Sequence, residues 1–349
     1  MTHTRPRLPS AAVAALVALS LAGPSPAAEA RRPVRRATMT FVAIPENEPK
    51  PDGFRILADG EPVAEYHSVG RAKPVLFPLV GPHGERLSRA WPLEDGVAGE
   101  AHDHPHHESL WFTHGAVNGI DFWGKAKGPW PPPAGADPIP RIVARELGAS
   151  SGGDQPVTVS SVNDWFGPDG AAVCSDERSY VFAADETSRS IEITVTLRAD
   201  HGPVTLGDTK EGTMAIRVAT ELQPKDANGS QGAAGRIVNS EGQENAAAWG
   251  KRARWVDYSG TIDGRVVGIA MFDHPTNLRH PTWWHARDYG LFAANPFGAH
   301  DFSGAEKGSG DHTIPAGKSL TFRYLVILHD GDATTAAVDA RYRRWIGAE

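Results

Sequence analysis

Between residues 101 and 115 the chain reads AHDHPHHESLWFTHG. Five imidazoles, His102, His104, His106, His107 and His114, stand there beside Asp103, Glu108, Trp111 and Phe112. Imidazole titrates near neutrality and also ligates metals, so the stretch admits two chemistries. If the segment is extended, His102, His104 and His106 point to one side, since side chains alternate along a strand. A His-x-His pair of that kind, completed by His274, His280 or His285, could hold a divalent metal ion. Pro105 opposes this reading, because it lacks a backbone donor and interrupts a strand ladder. In a turn the alternation lapses, and some of the imidazoles would simply bond backbone carbonyls.

The second chemistry needs no metal. A histidine facing a carboxylate can donate and accept protons on a bound polyol. Glu211 is the leading carboxylate, because Asp208-Thr209-Lys210-Glu211-Gly212 places three charges at the mouth of a strand that carries Arg217. His104, His106, His107 and His285 are the candidate acids. The plain alternative for Glu211 is a solvated turn with a local pair to Lys210. Arg217 and Arg287 could hold a carboxylate, a phosphate or an oxyanion; the alternative is an ion pair, for which Asp288 sits beside Arg287. Tryptophans crowd the same stretches, and sugar rings stack their C–H faces on indole while their hydroxyls take polar partners. Trp111, Asn118, Asp121, Trp123, Lys210, Arg217, Trp284, Arg287 and Asn295 are therefore the expected substrate-binding residues.

Three blocks carry these residues: DHPHHESLWFTHGAVNGIDFW, DTKEGTMAIRVA and FDHPTNLRHPTWWHARDYGLFAANPFG. They resemble the blocks of a secreted bacterial family of unknown function that bears the label methane oxygenase PmoA, or PmoA-like. The label implies a metal-dependent oxygenase. The membrane methane monooxygenase subunit spans the bilayer several times, whereas no spanning segment follows the leader of this chain. In strand pattern the family is similar to the galactose-mutarotase-like supersandwich proteins, which act largely on carbohydrates. That resemblance implies a histidine acid working with a carboxylate base across a groove on one sheet face. Activity does not follow from fold likeness alone.

The elements that must position these residues read as strands. With 37 glycines and 28 prolines, turns are dense, and short stretches alternate apolar and polar residues. Ile191, Ile193, Val195 and Leu197 occupy one face, with Glu192, Thr194 and Thr196 on the other. Asp59-Gly60 joins Phe54–Leu57 to Val63–Tyr66 as a hairpin, and Pro78 marks an edge or a bulge in Val75–Val80. One helix is expected, capped by Asp332, with Val338, Arg341, Tyr342 and Trp345 at helical spacing. Residues 128–140 (GPWPPPAGADPIP) form a rigid excursion directly after the histidine block. The fold class is all-β, an antiparallel supersandwich in one domain over residues 38–349, after a polar leader at 31–37.

Residues 1–30 read as a signal peptide. Arg5 and Arg7 give a basic n-region, Ala11–Ala22 an apolar run, and Ala28-Glu29-Ala30 a small-residue cleavage signal. The run is shorter than the ~20 residues a spanning helix needs, so the mature chain is expected to be periplasmic or secreted, without a membrane span. Cys174 is the only cysteine, so no intramolecular disulfide forms. A formal charge of −7, with no basic block beyond Arg31–Arg36, speaks against nucleic acid. No G-x-S-x-G, phosphate loop or dinucleotide fingerprint is present. The expectation is a carbohydrate-active enzyme of the epimerase, lyase or hydrolase type, acting on a small-molecule or oligosaccharide substrate with a divalent metal as an option. A non-catalytic carbohydrate-binding protein and the oxygenase are the alternatives.

Overall fold

The computed structural model describes residues 1–2, 35–45, 51–151, 155–225 and 235–348. The expected signal peptide lies almost wholly outside the described residues, as do parts of the surface loops read at 150–155 and 228–235. In chain order the strands are β1 (Met39–Ile44), β2 (Gly53–Ala58), β3 (Glu61–His67), β4 (Val75–Leu79), β5 (Leu110–His114) and β6 (Arg141–Ser150). Next come β7 (Val157–Phe166), β8 (Ala172–Ala184), β9 (Ser188–Arg198), β10 (Val204–Leu206), β11 (Gly212–Arg217) and β12 (Arg236–Asn239). The last are β13 (Trp255–Ile262), β14 (Arg265–Asp273), β15 (Trp283–Trp284), β16 (Leu291–Asn295), β17 (His312–Ile314) and β18 (Ser319–Asp330). Helix α1 (Ala299–Ser303) is a short turn, and α2 (Val338–Trp345) lies near the C-terminus.

These strands build two eight-stranded antiparallel sheets, in the orders β1-β2-β3-β4-β5-β11-β16-β15 and β12-β13-β14-β18-β9-β8-β7-β6, plus the small pair β10-β17. The architecture is an antiparallel β supersandwich with one helix at its C-terminal end. Alternation explains the second sheet: Ile191, Ile193, Val195 and Leu197 are all buried on the inner face of β9, each contributing about 2 kcal/mol through burial. They share one core with Tyr66, Phe112, Met214 and Phe292 from the first sheet. Pro78 falls where the β3–β4 register shifts, so β4 carries a bulge while remaining an interior strand. Among the described residues no helix is long and apolar enough to cross a membrane.

The centre of the first sheet is covered on both faces. Its outer side carries Val75, Trp111, Ala215, Leu291 and Ala293, capped by Trp123. β5, β11 and β16 are consequently buried at every position, and their sequences show no alternation to read. On the other sheet α2 lays Val338 and Tyr342 against Trp255, Ala270 and Phe272. Asp332 does not cap this helix. Its carboxylate accepts from the Thr335 N–H in the preceding turn, and the N-cap is Ala337, at φ +51°.

Candidate functional site

Residues 101–109 form a loop over the outer face of the first sheet, not a strand, and His104 and Ser109 adopt φ of +45° and +57°. The alternation that would align His102, His104 and His106 therefore lapses. A buried guanidinium organises the loop. Arg89 donates to the carbonyls of Ala101, Asp103, His104 and His107 at 3.0–3.2 Å, and to the Asp103 carboxylate at 2.6 Å. From below, the buried Lys73 ammonium binds the carbonyls of His106 and Ala126 and the Glu108 carboxylate. The Asp103 oxygen bound by Arg89 also accepts from Arg217 at 2.8 Å, and the other oxygen pairs with His104 Nδ1 at 2.9 Å. Burial opposes ionisation of Asp103. The His104 hydrogen bond and the charges of Arg217 and Arg89 outweigh it and hold the carboxyl well below its usual range.

The partners of the imidazoles set their tautomers. Arg217 Nη1 donates to His107 Nδ1 at 3.1 Å. A guanidinium has no lone pair to offer, so His107 carries its proton on Nε2. His285 Nδ1 faces the Lys210 carbonyl at 3.1 Å. A carbonyl only accepts, so His285 is protonated on Nδ1 and bare on Nε2. Burial, reinforced by His106 and Arg217, pushes His107 well below the ordinary histidine range. Burial lowers His285 to about 4, with help from Arg287, and His106 to about 3, with help from Lys73. All three are neutral at physiological pH.

Tyr289 joins the two halves of the site. Its ring stacks on His104 at 5.2 Å and 5°, and more distantly on His107. Arg217 and Arg287 lie over the same ring at 4.8 and 5.3 Å. Burial raises the Tyr289 hydroxyl above its ordinary value, so it keeps its proton at neutral pH; Arg287, Arg217, Glu211 and Asp103 all act on it through space. Beyond Arg287 come the Lys210–Glu211 pair at 2.9 Å and His285, whose ring meets Trp249 and Phe302 edge-on. Arg287 acts through space on Lys210 and His285, and Glu211 on Tyr289. The ring contacts of Tyr289 and these charges link His104, His106, His107, Arg217, Arg287, Lys210, Glu211 and His285 into one polar group.

Other expected site residues fall elsewhere. Trp284 is fully buried, its indole N–H bonded to the Ala253 carbonyl, and it packs in the main core. Trp111 and Trp123 are each 1% exposed and support the histidine loop from beneath, so none of the three offers a face to a sugar. Asn118 closes a tight turn, its side chain bonded to Pro203 and Thr205 backbone. Asp121 accepts from the N–H groups of Trp123 and Gly124. Asn295 brackets the Thr209 carbonyl and the Phe297 N–H. All three side chains bond backbone, Asp121 through its Oδ1. His102 stacks on Trp91 at 5.1 Å. His274 sits at the other sheet, bound to Thr276 and Arg323 and packed on Trp345. The proposed metal set of His102, His104, His106 and His274 is thus not assembled. Among the described residues no three His, Cys, Asp or Glu side chains are grouped to hold a metal ion.

The sequence reading missed Arg89, Lys73 and Tyr289 as site-building residues. Arg89 and Lys73 stand in unremarkable stretches, and nothing local marks them. Tyr289 lies two residues after Arg287 in a block already singled out, and its aromatic type beside charged residues was the available signal.

No curated protein matches the chain. Among solved structures, a variant of a glycoside hydrolase family 97 enzyme from Pseudoalteromonas sp. strain K8 is 9% identical, with a TM-score of 0.32, over 86% of this chain and 36% of that one. The same enzyme in complex with acarbose is 10% identical with the same coverage and TM-score. An alpha-galactosidase from Lactobacillus brevis is 8% identical, with a TM-score of 0.36, over 87% of this chain and 41% of that one. The chain spans well under half the length of these structures. The family model that matches residues 53–343 is described as one of unknown function, and the PmoA-like label that the sequence blocks resemble forms no part of that description. That match takes in most of the chain, which belongs to the family of unknown function DUF6807.

Proposed function

We propose that the protein is an exported, carbohydrate-acting enzyme that works by proton transfer, of the epimerase or lyase type. The observation that carries this reading is the bare, neutral Nε2 of His285, fixed by the Lys210 carbonyl beside the Lys210–Glu211 pair. Burial keeps that lone pair unprotonated at neutral pH, so it is free to accept a proton from a bound substrate. The Tyr289 hydroxyl and His107 Nε2 both carry protons at neutral pH and are the candidate donors. Glu211 holds Lys210, whose ammonium and the Arg287 guanidinium supply positive charge where a developing oxyanion would gather. His104, oriented by Asp103, is a second proton carrier in the same polar group.

A hydrolase is less favoured. Glycoside hydrolysis ordinarily uses two carboxyl groups, one of them protonated. Asp103 is clamped by Arg89 and Arg217 in its ionised form, which leaves Glu211 without a carboxylic acid opposite it. Export is supported by the basic and apolar leader at residues 1–30, and residues 38–349 are taken as one functional domain. The test is incubation of the mature protein in D2O with a panel of oligosaccharides, read by mass spectrometry. Deuterium should enter a carbon position, or an unsaturated product should appear, and His285→Ala should abolish it. Activity unchanged in both His285→Ala and Glu211→Gln would overturn the assignment.

A further inference from the structure

We infer that the substrate is an anionic sugar whose carboxylate docks on Arg287, an assignment that rests on the proton-transfer reading above and narrows its substrate class. The carboxylates around the site are already engaged. Asp103 is shared by Arg89, Arg217 and His104. Glu211 holds Lys210, and Asp301 accepts the Lys210 backbone N–H. Asp288, the neighbour in sequence, pairs with Lys225 at 2.6 Å and not with Arg287. Arg89, Arg217 and Lys210 each hold a carboxylate, whereas Arg287 lies half-buried on the Tyr289 ring and no carboxylate among the described residues is paired with it. Cation–π contact uses the flat of a guanidinium and leaves its edge, where the N–H donors lie, free for a planar two-oxygen partner. The neutral imidazoles His285 and His107 bring no competing negative charge.

The same placement gives the carboxylate a chemical task. In a uronic acid the carbon beside the carboxylate bears one hydrogen, and neutralising the carboxylate makes that hydrogen more acidic. His285 Nε2 takes the proton, and the electron pair left on carbon moves into the carboxylate against Arg287. Return of a proton to the opposite face inverts the centre. Alternatively the pair returns to form a carbon–carbon double bond while the neighbouring C–O bond breaks, and the departing oxygen takes the Tyr289 proton. Either course balances with no added oxidant or reductant.

The experiment is calorimetric titration of the mature protein with oligomers of galacturonate, glucuronate and mannuronate, against galactose, glucose and mannose oligomers of the same linkage. At least one uronate series should bind at least about tenfold tighter than its neutral counterpart, which is the order of a single ionic contact. Arg287→Ala should erase that margin and Arg287→Lys should keep part of it, because a point charge replaces a fork. Arg265→Ala, at the exposed start of β14, removes the same charge elsewhere and should change nothing. Equal binding of neutral and acidic oligomers, no uronate binding, or an unchanged margin in Arg287→Ala would each overturn the inference. Uronate binding without deuterium exchange or product would leave it standing and remove the proton-transfer reading. Turnover of a neutral sugar alone would do the reverse.

Discussion

His107 accepts a hydrogen bond from Arg217 through Nδ1, at 3.1 Å, and therefore carries its proton on Nε2. Protonating this imidazole would set a second N–H against the guanidinium in a buried place, so His107 can donate a hydrogen bond but cannot serve as an imidazolium acid. His285, held the opposite way round by the Lys210 carbonyl, presents a lone pair. Two histidines that look equivalent in sequence thus have complementary roles, and the difference comes from which partner meets Nδ1.

Replacing Arg89 should unfold the histidine loop before it touches the rest of the fold. Arg89→Met removes every bond to the four loop carbonyls and one of the two guanidinium partners of Asp103. Loss of a buried charged partner of this kind costs about 3 kcal/mol. Urea denaturation should show a loss of that order with native strand content by circular dichroism. Arg89→Lys should rescue little, since an ammonium cannot span the same carbonyls.

Stability should fall as pH drops below 6.5. Burial lowers His106 to about 3 and both His114 and His285 to about 4, from 6.5 in the open chain, and His107 goes in the same direction. Between those values the unfolded chain binds more protons than the folded one, so stability rises with pH across the window and is lost on acidification. Each group contributes a slope of up to about 1.4 kcal/mol per pH unit. Melting temperature measured from pH 7 to pH 4 checks this; a flat profile would contradict the buried, neutral assignment. In the same way, activity resting on His285 should persist down to about pH 5, with its acid limb near the lowered value of about 4.

Trp284 and Tyr289 should separate core from site. Trp284→Ala opens a cavity in the main core and should cost about 3–5 kcal/mol, whereas Trp284→Phe should bind substrate like the parent. Tyr289→Phe keeps the ring between His104 and the two guanidinium groups, so folding should be nearly unchanged. It should lower turnover by at least about tenfold, as removal of a positioned proton donor does. Comparing unfolding midpoints with initial rates for the three variants reads both effects.

The outer strands of the sandwich were legible because one face of each meets the core and the other meets water. β9 reads directly from Ile191, Ile193, Val195 and Leu197, and the Asp59-Gly60 turn fixes the β2–β3 hairpin. β13 escaped notice because Asp257, Ser259 and Gly260 interrupt its apolar residues. β5 and β16 hid for the opposite reason: both faces are covered, so the period of two disappears; β11, equally covered, was still legible as the strand that carries Arg217. Strand register depends on alternation only where one side is wet.

Residue types and spacing alone determined an all-β antiparallel chain and three polar blocks able to move protons or hold anions; the pairing of Lys210 with Glu211 was open beside a catalytic Glu211 until the structure showed it. The first two follow from local rules: the pleat and the turn chemistry of Asp-Gly. Only the tertiary structure decided that Trp284 belongs to the core, that Asn118, Asp121 and Asn295 bind backbone, and that His274 lies at the other sheet. It also decided that Arg217 meets His107 across 110 residues of chain. Burial and tautomer are properties of the partners a side chain meets, and those partners arrive from distant strands.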